Sequence, residues 1–199
     1  NPMNIVHAVI TCIISFAAAF AAAWILGFDE PADPDQARKE TKPAAKPVSG
    51  PASVAVPVNG TCIPLSEVND AVFSQKILGD GAAIIPSEGK VYAPVNGTVS
   101  TVFDTKHAIG LLSEDGVELL IHIGIDTVNL EGKHFTAHVE SGQKIKQGDL
   151  LVSFDQEQIQ KDGYDTVTPI LITNTAEFHS IHMNASGNVK VGDVLLTVQ

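Results

Sequence analysis

The sequence predicts an all-β domain, an antiparallel sandwich or barrel of pseudo-symmetric halves, preceded by one transmembrane α-helix and a flexible linker. Three observations carry that expectation. From Ser53 onward the chain runs in short segments rich in Val, Ile, Leu and Thr, separated by Asn-Gly, Asp-Gly, Ser-Gly and Gln-Gly turn signals. Within this part, Ser141-Gly-Gln-Lys-Ile-Lys-Gln-Gly-Asp-Leu-Leu-Val returns, one residue shorter before Gly-Asp, as Ser186-Gly-Asn-Val-Lys-Val-Gly-Asp-Val-Leu-Leu-Thr. Two similar hairpins, each turned by glycines at positive φ, predict related halves. Ahead of it lies a stretch of different composition, apolar first and then rich in proline.

The apolar stretch, Ile5 to Phe28, is long enough at helical rise to cross about 30 Å of hydrocarbon. A secretory signal peptide fits less well. There is no basic leader, the apolar run exceeds the usual length, and Trp24 sits where an interfacial anchor would. Residues 1–29 are therefore expected to be a membrane helix, and Asn1 in place of Met suggests a piece of a longer protein. Residues 30–52 follow as a tether of Pro, Ala, Lys and acid, with Pro31, Pro34, Pro43, Pro47 and Pro51 breaking any helix. Arg38, Lys39, Lys42 and Lys46 in this tether put its side of the membrane in the cytoplasm. Residues 53–199 make the β domain, with short helices expected only at Leu65 to Val68 and at Gln156 to Lys161, the latter capped by Asp155.

Charge limits the partners. The chain has 23 acidic against 12 basic residues, a net charge of −11, and its single Arg lies in the tether. Nucleic acid is excluded, because phosphate contacts need Lys and Arg clusters. A basic protein docking transiently fits much better. Cys12 lies in the apolar stretch and Cys62 at the start of the domain, so they form neither a metal site nor a disulfide framework, which agrees with a reducing compartment.

The most informative segment is Thr105 to Asp126. It reads as a hairpin, with a strand to about Ser113, a turn at Glu114-Asp115-Gly116 and a strand from Val117. With a two-residue loop, whether Asp115-Gly116 or Glu114-Asp115, His107 and His122 come together on one face; only a three-residue loop would separate them. Along the second strand Val117, Leu119, Ile121 and Ile123 share the apolar, core side, so His122 faces outward. Leu120 and, across the hairpin, Ile109 and Leu111 are expected beside it as exposed apolar groups suited to protein docking.

Two neighbouring imidazoles support more than one chemistry. One could accept a phosphoryl group while the other donates an N–H to its oxygens. They could equally be two ligands of a zinc ion, or two unconnected surface histidines. Spacing alone leaves these open. The pairs His134 and His138, and His179 and His182, sit in β context without cysteine partners and are read as surface histidines, not metal ligands. Val91-Tyr-Ala-Pro-Val-Asn-Gly-Thr-Val also resembles biotinyl and lipoyl carrier domains, but the Met-Lys-Met type of tip they need does not occur. The His-x-His pair of a β-sandwich metallopeptidase is missing too.

Gly116 to Leu130, Gly-Val-Glu-Leu-Leu-Ile-His-Ile-Gly-Ile-Asp-Thr-Val-Asn-Leu, closely resembles the active-site segment of the glucose-type IIA domains of the sugar phosphotransferase system. Thr105-Lys-His-Ala resembles their second-histidine segment. Asp70 to Gly81, Pro86 and Val91 to Val99 resemble their opening strands, so about three quarters of the chain is covered.

The resemblance implies that His122 is phosphorylated on Nε2, that His107 steadies the phosphoryl group, and that Thr105 hydrogen-bonds His107 and fixes its orientation. It places Asp70 and Asp126 at the rim and Val72, Phe73 and Leu120 in an apolar docking patch. Where relatives often carry Phe near the active histidine, this chain has Leu120 and Ile123.

Ile25 to Pro31 resembles the end of the permease domain in β-glucoside-type enzymes II, which favours β-glucosides, sucrose or trehalose over glucose as the sugar. The implied partners are the histidine phosphocarrier protein and the IIB domain of the transporter, with the membrane reached through residues 5–28 and dimerisation through the permease domain. No cofactor is implied. The whole would sit in the bacterial cell membrane with the IIA domain in the cytoplasm, acting as a phosphotransferase; a regulatory domain that binds partners according to phosphorylation state, or a zinc-binding sandwich, is the alternative.

Overall fold

The alternating pattern that begins near Ser53 forms strands from Ala52 onward. A computed structural model describes residues 51–199; the expected membrane helix and nearly all of the tether lie outside the described residues. Fourteen strands follow in order: β1 (Ala52–Ala55), β2 (Gly60–Pro64), β3 (Asp80–Pro86), β4 (Lys90–Tyr92), β5 (Gly97–Val102), β6 (Ala108–Ser113), β7 (Glu118–His122), β8 (Phe135–Ala137), β9 (Lys144–Ile145), β10 (Leu150–Phe154), β11 (Thr168–Ile172), β12 (Ile181–Met183), β13 (Gly187–Val189) and β14 (Val194–Val198). Every pairing between them is antiparallel. Eight strands form one sheet in the order β13-β2-β3-β11-β7-β6-β5-β9, and two smaller sheets run β1-β14-β12 and β4-β10-β8. Among the described residues no helix is long and apolar enough to cross a membrane.

Period-two burial explains the layering. Inward residues of all three sheets, among them Val54, Ile84, Ile109, Leu119, Ile121, Leu151, Ile170 and Leu196, share one core. On the central strands the alternate residues face the other way. Ile63, Ala83, Leu120 and Leu171 pack there with Leu65, Val68, Phe73 and Val167 in a second, smaller cluster. What covers that outer face is the connection between β2 and β3, through a single 3-10 turn at Leu65–Glu67 and a one-turn helix α1 (Ala71–Ser74) capped by Asp70. A second short helix, α2 (Gln156–Lys161), lies where expected, with Asp155 as its cap accepting from the Gln158 amide at 3.1 Å.

The internal repeat is real, but its copies are not hairpins. β9 and β13 occupy the two edges of the large sheet, while β10 and β14 are the middle strands of the two small ones. Each copy therefore crosses from the large sheet to a small one through a Lys-x-Gly-Asp turn, with Gly148 at φ 93° and Gly192 at φ 95°. The repetition also extends to a second pair of segments. Val54-Ala-Val-Pro-Val-Asn-Gly-Thr-Cys matches Val91-Tyr-Ala-Pro-Val-Asn-Gly-Thr-Val. The Ala55 amide donates to the Pro94 carbonyl (3.0 Å), and the Tyr92 amide to the Pro57 carbonyl (2.8 Å), the same bond made from each copy. Asn59 and Asn96 accept from the Val191 and Gln147 amides at 2.8 and 2.9 Å, so each Asn-Gly docks its partner turn. Cys62 belongs to this repeat and is buried, which pushes its thiol pKa up.

Candidate functional site

His122 closes β7, whose inward residues Leu119 and Ile121 are in the main core, so alternation turns its imidazole outward as expected. It sits half-buried above the second cluster. The Phe73 ring, delivered by α1, packs against it with centroids 5.1 Å apart. Leu120 lies on the same face of β7 and packs on that cluster.

The imidazoles of His107 and His122 do meet, with centroids 4.8 Å apart and planes at 80°. Their route to each other differs from the expected one. Ser113 and Val117 close a three-residue loop, Glu114-Asp115-Gly116, with Gly116 at φ 86°. The ladder then pairs Ala108 with His122 and Ile109 with Ile121. By parity His107 belongs opposite Ile123, to whose amide its carbonyl is bonded at 2.7 Å. Both histidines, however, sit where strands end. Lys106 at φ 56° and Gly124 at φ 80° take the chain out of the pleat on either side, and pleat parity no longer sets where the rings go.

The structure also corrects four neighbours. Ile109 and Leu111 are fully buried in the main core instead of flanking His122. His107 is only 5% exposed, not a surface group. Phe73 is buried as well, forming the floor under His122 while Val72 beside it is 38% exposed. Of the two positions where Phe was expected in relatives, only Leu120 borders the site, because Ile123 points into the core.

Hydrogen bonds fix the two rings differently. His122 Nδ1 lies 2.8 Å from the Gly124 carbonyl. A carbonyl can only accept, so Nδ1 carries the proton and Nε2 keeps a free lone pair. Thr105 Oγ1 lies 2.5 Å from His107 Nδ1, as the resemblance implied. When the hydroxyl donates, His107 Nε2 bears the N–H and can serve an anionic group. Phe103, 42% exposed at the end of β5, packs its ring edge on His107 with centroids 5.8 Å apart. It was not read from the sequence, where an exposed Phe two residues before Thr105 was the available signal.

Burial favours the neutral form of both rings. Burial lowers the His122 pKa below its ordinary 6.5, against the opposing pull of the Gly124 carbonyl and the carboxylates of Asp70 and Asp126. For His107, burial and then the neighbouring His122 push it down to about 4. Asp70 accepts from the Val72 and Phe73 amides at 2.8 and 3.1 Å, which holds its charge at the start of α1. Asp126 is exposed in the left-handed region at φ 57°. Elsewhere, His134 pairs with Asp162 at 3.0 Å and His138 with Ser153 at 2.9 Å, away from each other's partners.

A half-buried imidazole with a free Nε2 lone pair beside a second, buried imidazole can act as a nucleophile beside a donor. Residues 52–178 match the family described as phosphoenolpyruvate-dependent sugar phosphotransferase system, EIIA 1. The chain belongs to this family. As an EIIA domain it is a phosphotransferase component that relays phosphate. It is 46% identical over 194 residues, 97% of its length, to the PTS system beta-glucoside-specific EIIBCA component of Bacillus subtilis (strain 168). The chain spans 31% of that relative's length. The fold is similar to that of the glucose permease IIA from Mycoplasma capricolum, with a TM-score of 0.71 and 40% identity, over 75% of this chain and 96% of the other.

Proposed function

We propose that this EIIA domain takes its phosphoryl group on Nε2 of His122, from the phosphorylated histidine phosphocarrier protein, and passes it to a cysteine of the IIB domain in the same transporter. The observation that carries the proposal is the bond from His122 Nδ1 to the Gly124 carbonyl, which leaves Nε2 as the free nucleophile. The Nε2 lone pair attacks phosphorus, the N–P bond of the donor phosphohistidine breaks, and its electron pair returns to the donor ring. In the second transfer a IIB thiolate forms an S–P bond and the pair of the His122 N–P bond returns to Nε2.

Throughout, the proton stays on Nδ1 and is donated to the Gly124 carbonyl. Bond formation to phosphorus makes the ring more cationic, and that carbonyl with Asp70 and Asp126 favours the positive ring. His107, held by Thr105, donates its Nε2–H to the phosphoryl oxygens. The single Arg of the chain lies in the tether, so no guanidinium of this domain clamps the phosphate. Weak retention suits a relay, since a group held too well would not move on. Val72, Phe103 and Leu120 surround the histidines with apolar surface for the incoming proteins, and Asp70 and Asp126 meet their basic groups.

The relative's name supports a β-glucoside as the transported sugar. Residues 1–29 are proposed as the last helix of the permease domain, 30–52 as the tether, and 53–199 as the EIIA domain, with the membrane crossed through 5–28 and EIIA in the cytoplasm. A tether of this kind keeps the local concentration of EIIA near IIB on the order of mM. The test is transfer of labelled phosphate from phosphoenolpyruvate through the general proteins of the system. Acid-labile label is expected on the wild-type chain, none on His122→Ala, and label that forms but fails to move onward on His107→Gln. Equal labelling of His122→Ala would place the acceptor elsewhere.

A further inference from the structure

Gly124 is the hinge of the acceptor, and the two peptide groups around it use all four of their polar atoms. In the peptide from Ile123 to Gly124, the carbonyl accepts the hydroxyl of Thr127 at 2.5 Å and the N–H donates to the Val167 carbonyl at 3.1 Å. In the next, from Gly124 to Ile125, the carbonyl accepts the His122 Nδ1–H at 2.8 Å and the N–H donates to the Asp165 carbonyl at 2.9 Å. Three of these four anchors are backbone or His122 itself. The fourth is the side chain of Thr127, which is fully buried and packs so closely that a Cβ on Gly124 would lie 2.4 Å from its methyl carbon. Its 3-10 turn, Thr127–Leu130, starts immediately after the left-handed Asp126.

Resting on the reading of His122 as the phosphoryl acceptor, we propose that Thr127 is a positioning residue for that acceptor: its hydroxyl fixes the Ile123–Gly124 peptide so that the Gly124 carbonyl holds the proton on His122 Nδ1 and keeps Nε2 free. Without the hydroxyl, the buried Ile123 carbonyl loses its partner and the peptide turns to find another. The Gly124 carbonyl then drifts, and the imidazole distributes its proton over both nitrogens. Only the tautomer with a bare Nε2 attacks phosphorus.

The test uses the 199-residue chain in detergent, labelled with 15N histidine, at a pH above the titration of both imidazoles. The nitrogen shifts of His122 report its tautomer directly and independently of any phosphoryl donor. Wild type is expected to show a protonated Nδ1 and a bare Nε2. Thr127→Val, which keeps the shape and removes the hydroxyl, is expected to show a mixture, and its phosphorylation to slow by about tenfold, the value of one ordinary hydrogen bond. Thr127→Ser restores the hydroxyl and is expected to return both readouts to wild type. A single Nδ1–H tautomer in Thr127→Val, or a mixed tautomer in the serine variant, overturns the proposal. Should the valine variant not fold, Thr127→Ala supplies the same comparison and the serine result still decides. Absence of phosphorylation at His122 in wild type would remove the acceptor reading while leaving the tautomer measurement intact, so the two failures are separable.

Discussion

Replacing Gly124 with alanine tests how the acceptor is built. The residue sits at φ 80°, where a Cβ costs about 1–2 kcal/mol. That Cβ would also lie 2.6 Å from the Asp165 carbonyl oxygen and 2.4 Å from Thr127 Cγ2. Neither atom is the end of a flexible chain, so relief requires moving the segment away from Asp165 and Val167, and the two backbone bonds made there are worth about 1 kcal/mol each. The expected total is about 3–4 kcal/mol. Gly142 is the control, since it has φ 86° but nothing within 4 Å of an added Cβ, and Gly142→Ala carries only the backbone term. Urea denaturation of residues 51–199, followed by circular dichroism, should separate the variants by about 2 kcal/mol or more, with unchanged m-values. Losses equal to within about 0.5 kcal/mol would refute the close-approach argument.

Other outcomes follow from the same geometry. His107 has a folded pKa of about 4 against 6.5 unfolded, so its contribution to stability is full above pH 6.5 and disappears as pH falls through 4. That loss reaches up to about 3 kcal/mol, and His107→Gln should flatten this part of a denaturation profile taken between pH 7.5 and 4. Phe73→Ala removes the ring on which His122 rests; it should destabilise by about 3 kcal/mol and raise the His122 pKa toward 6.5 in an NMR titration, because burial is what lowers it. Lys106 is left-handed at φ 56°, so Lys106→Asn, a residue that tolerates this region, should stabilise by about 0.5 kcal/mol in the same urea assay.

Much of the site could be read from residue order, and the parts that could not share a physical cause. Alternation along Val117 to Ile123 placed His122 outward because β7 is a regular strand with one face in the main core. The encounter of His107 with His122 was anticipated from a two-residue loop, whereas the actual loop has three residues and the rings meet because both lie at strand ends. Loop length turned on Gly116 taking a positive φ, a choice several Glu-Asp-Gly conformations would have allowed. Asp70 was picked out, but α1 has only four residues, too few to show a period, and so Phe73 looked exposed when it is the floor of the site. The Gly124 carbonyl was invisible for a simpler reason, since backbone groups carry no letter of their own. The repeat was seen in one pair of segments and missed in the other, because Val54 to Cys62 and Val91 to Val99 agree mainly in the Pro-Val-Asn-Gly-Thr core that builds the docking turns.

The central claim, that the phosphoryl group rides on Nε2 of His122 while Nδ1 keeps its proton and donates it to the Gly124 carbonyl, is open to direct observation. Correlated 31P and 15N NMR of the chain, labelled with 15N histidine and phosphorylated by phosphohistidine phosphocarrier protein, reports which nitrogen is bonded to phosphorus. The account predicts a phosphorus coupling to Nε2 of His122, a retained proton on its Nδ1, and no phosphohistidine signal in His122→Ala. Coupling to Nδ1, or to either nitrogen of His107, would contradict it.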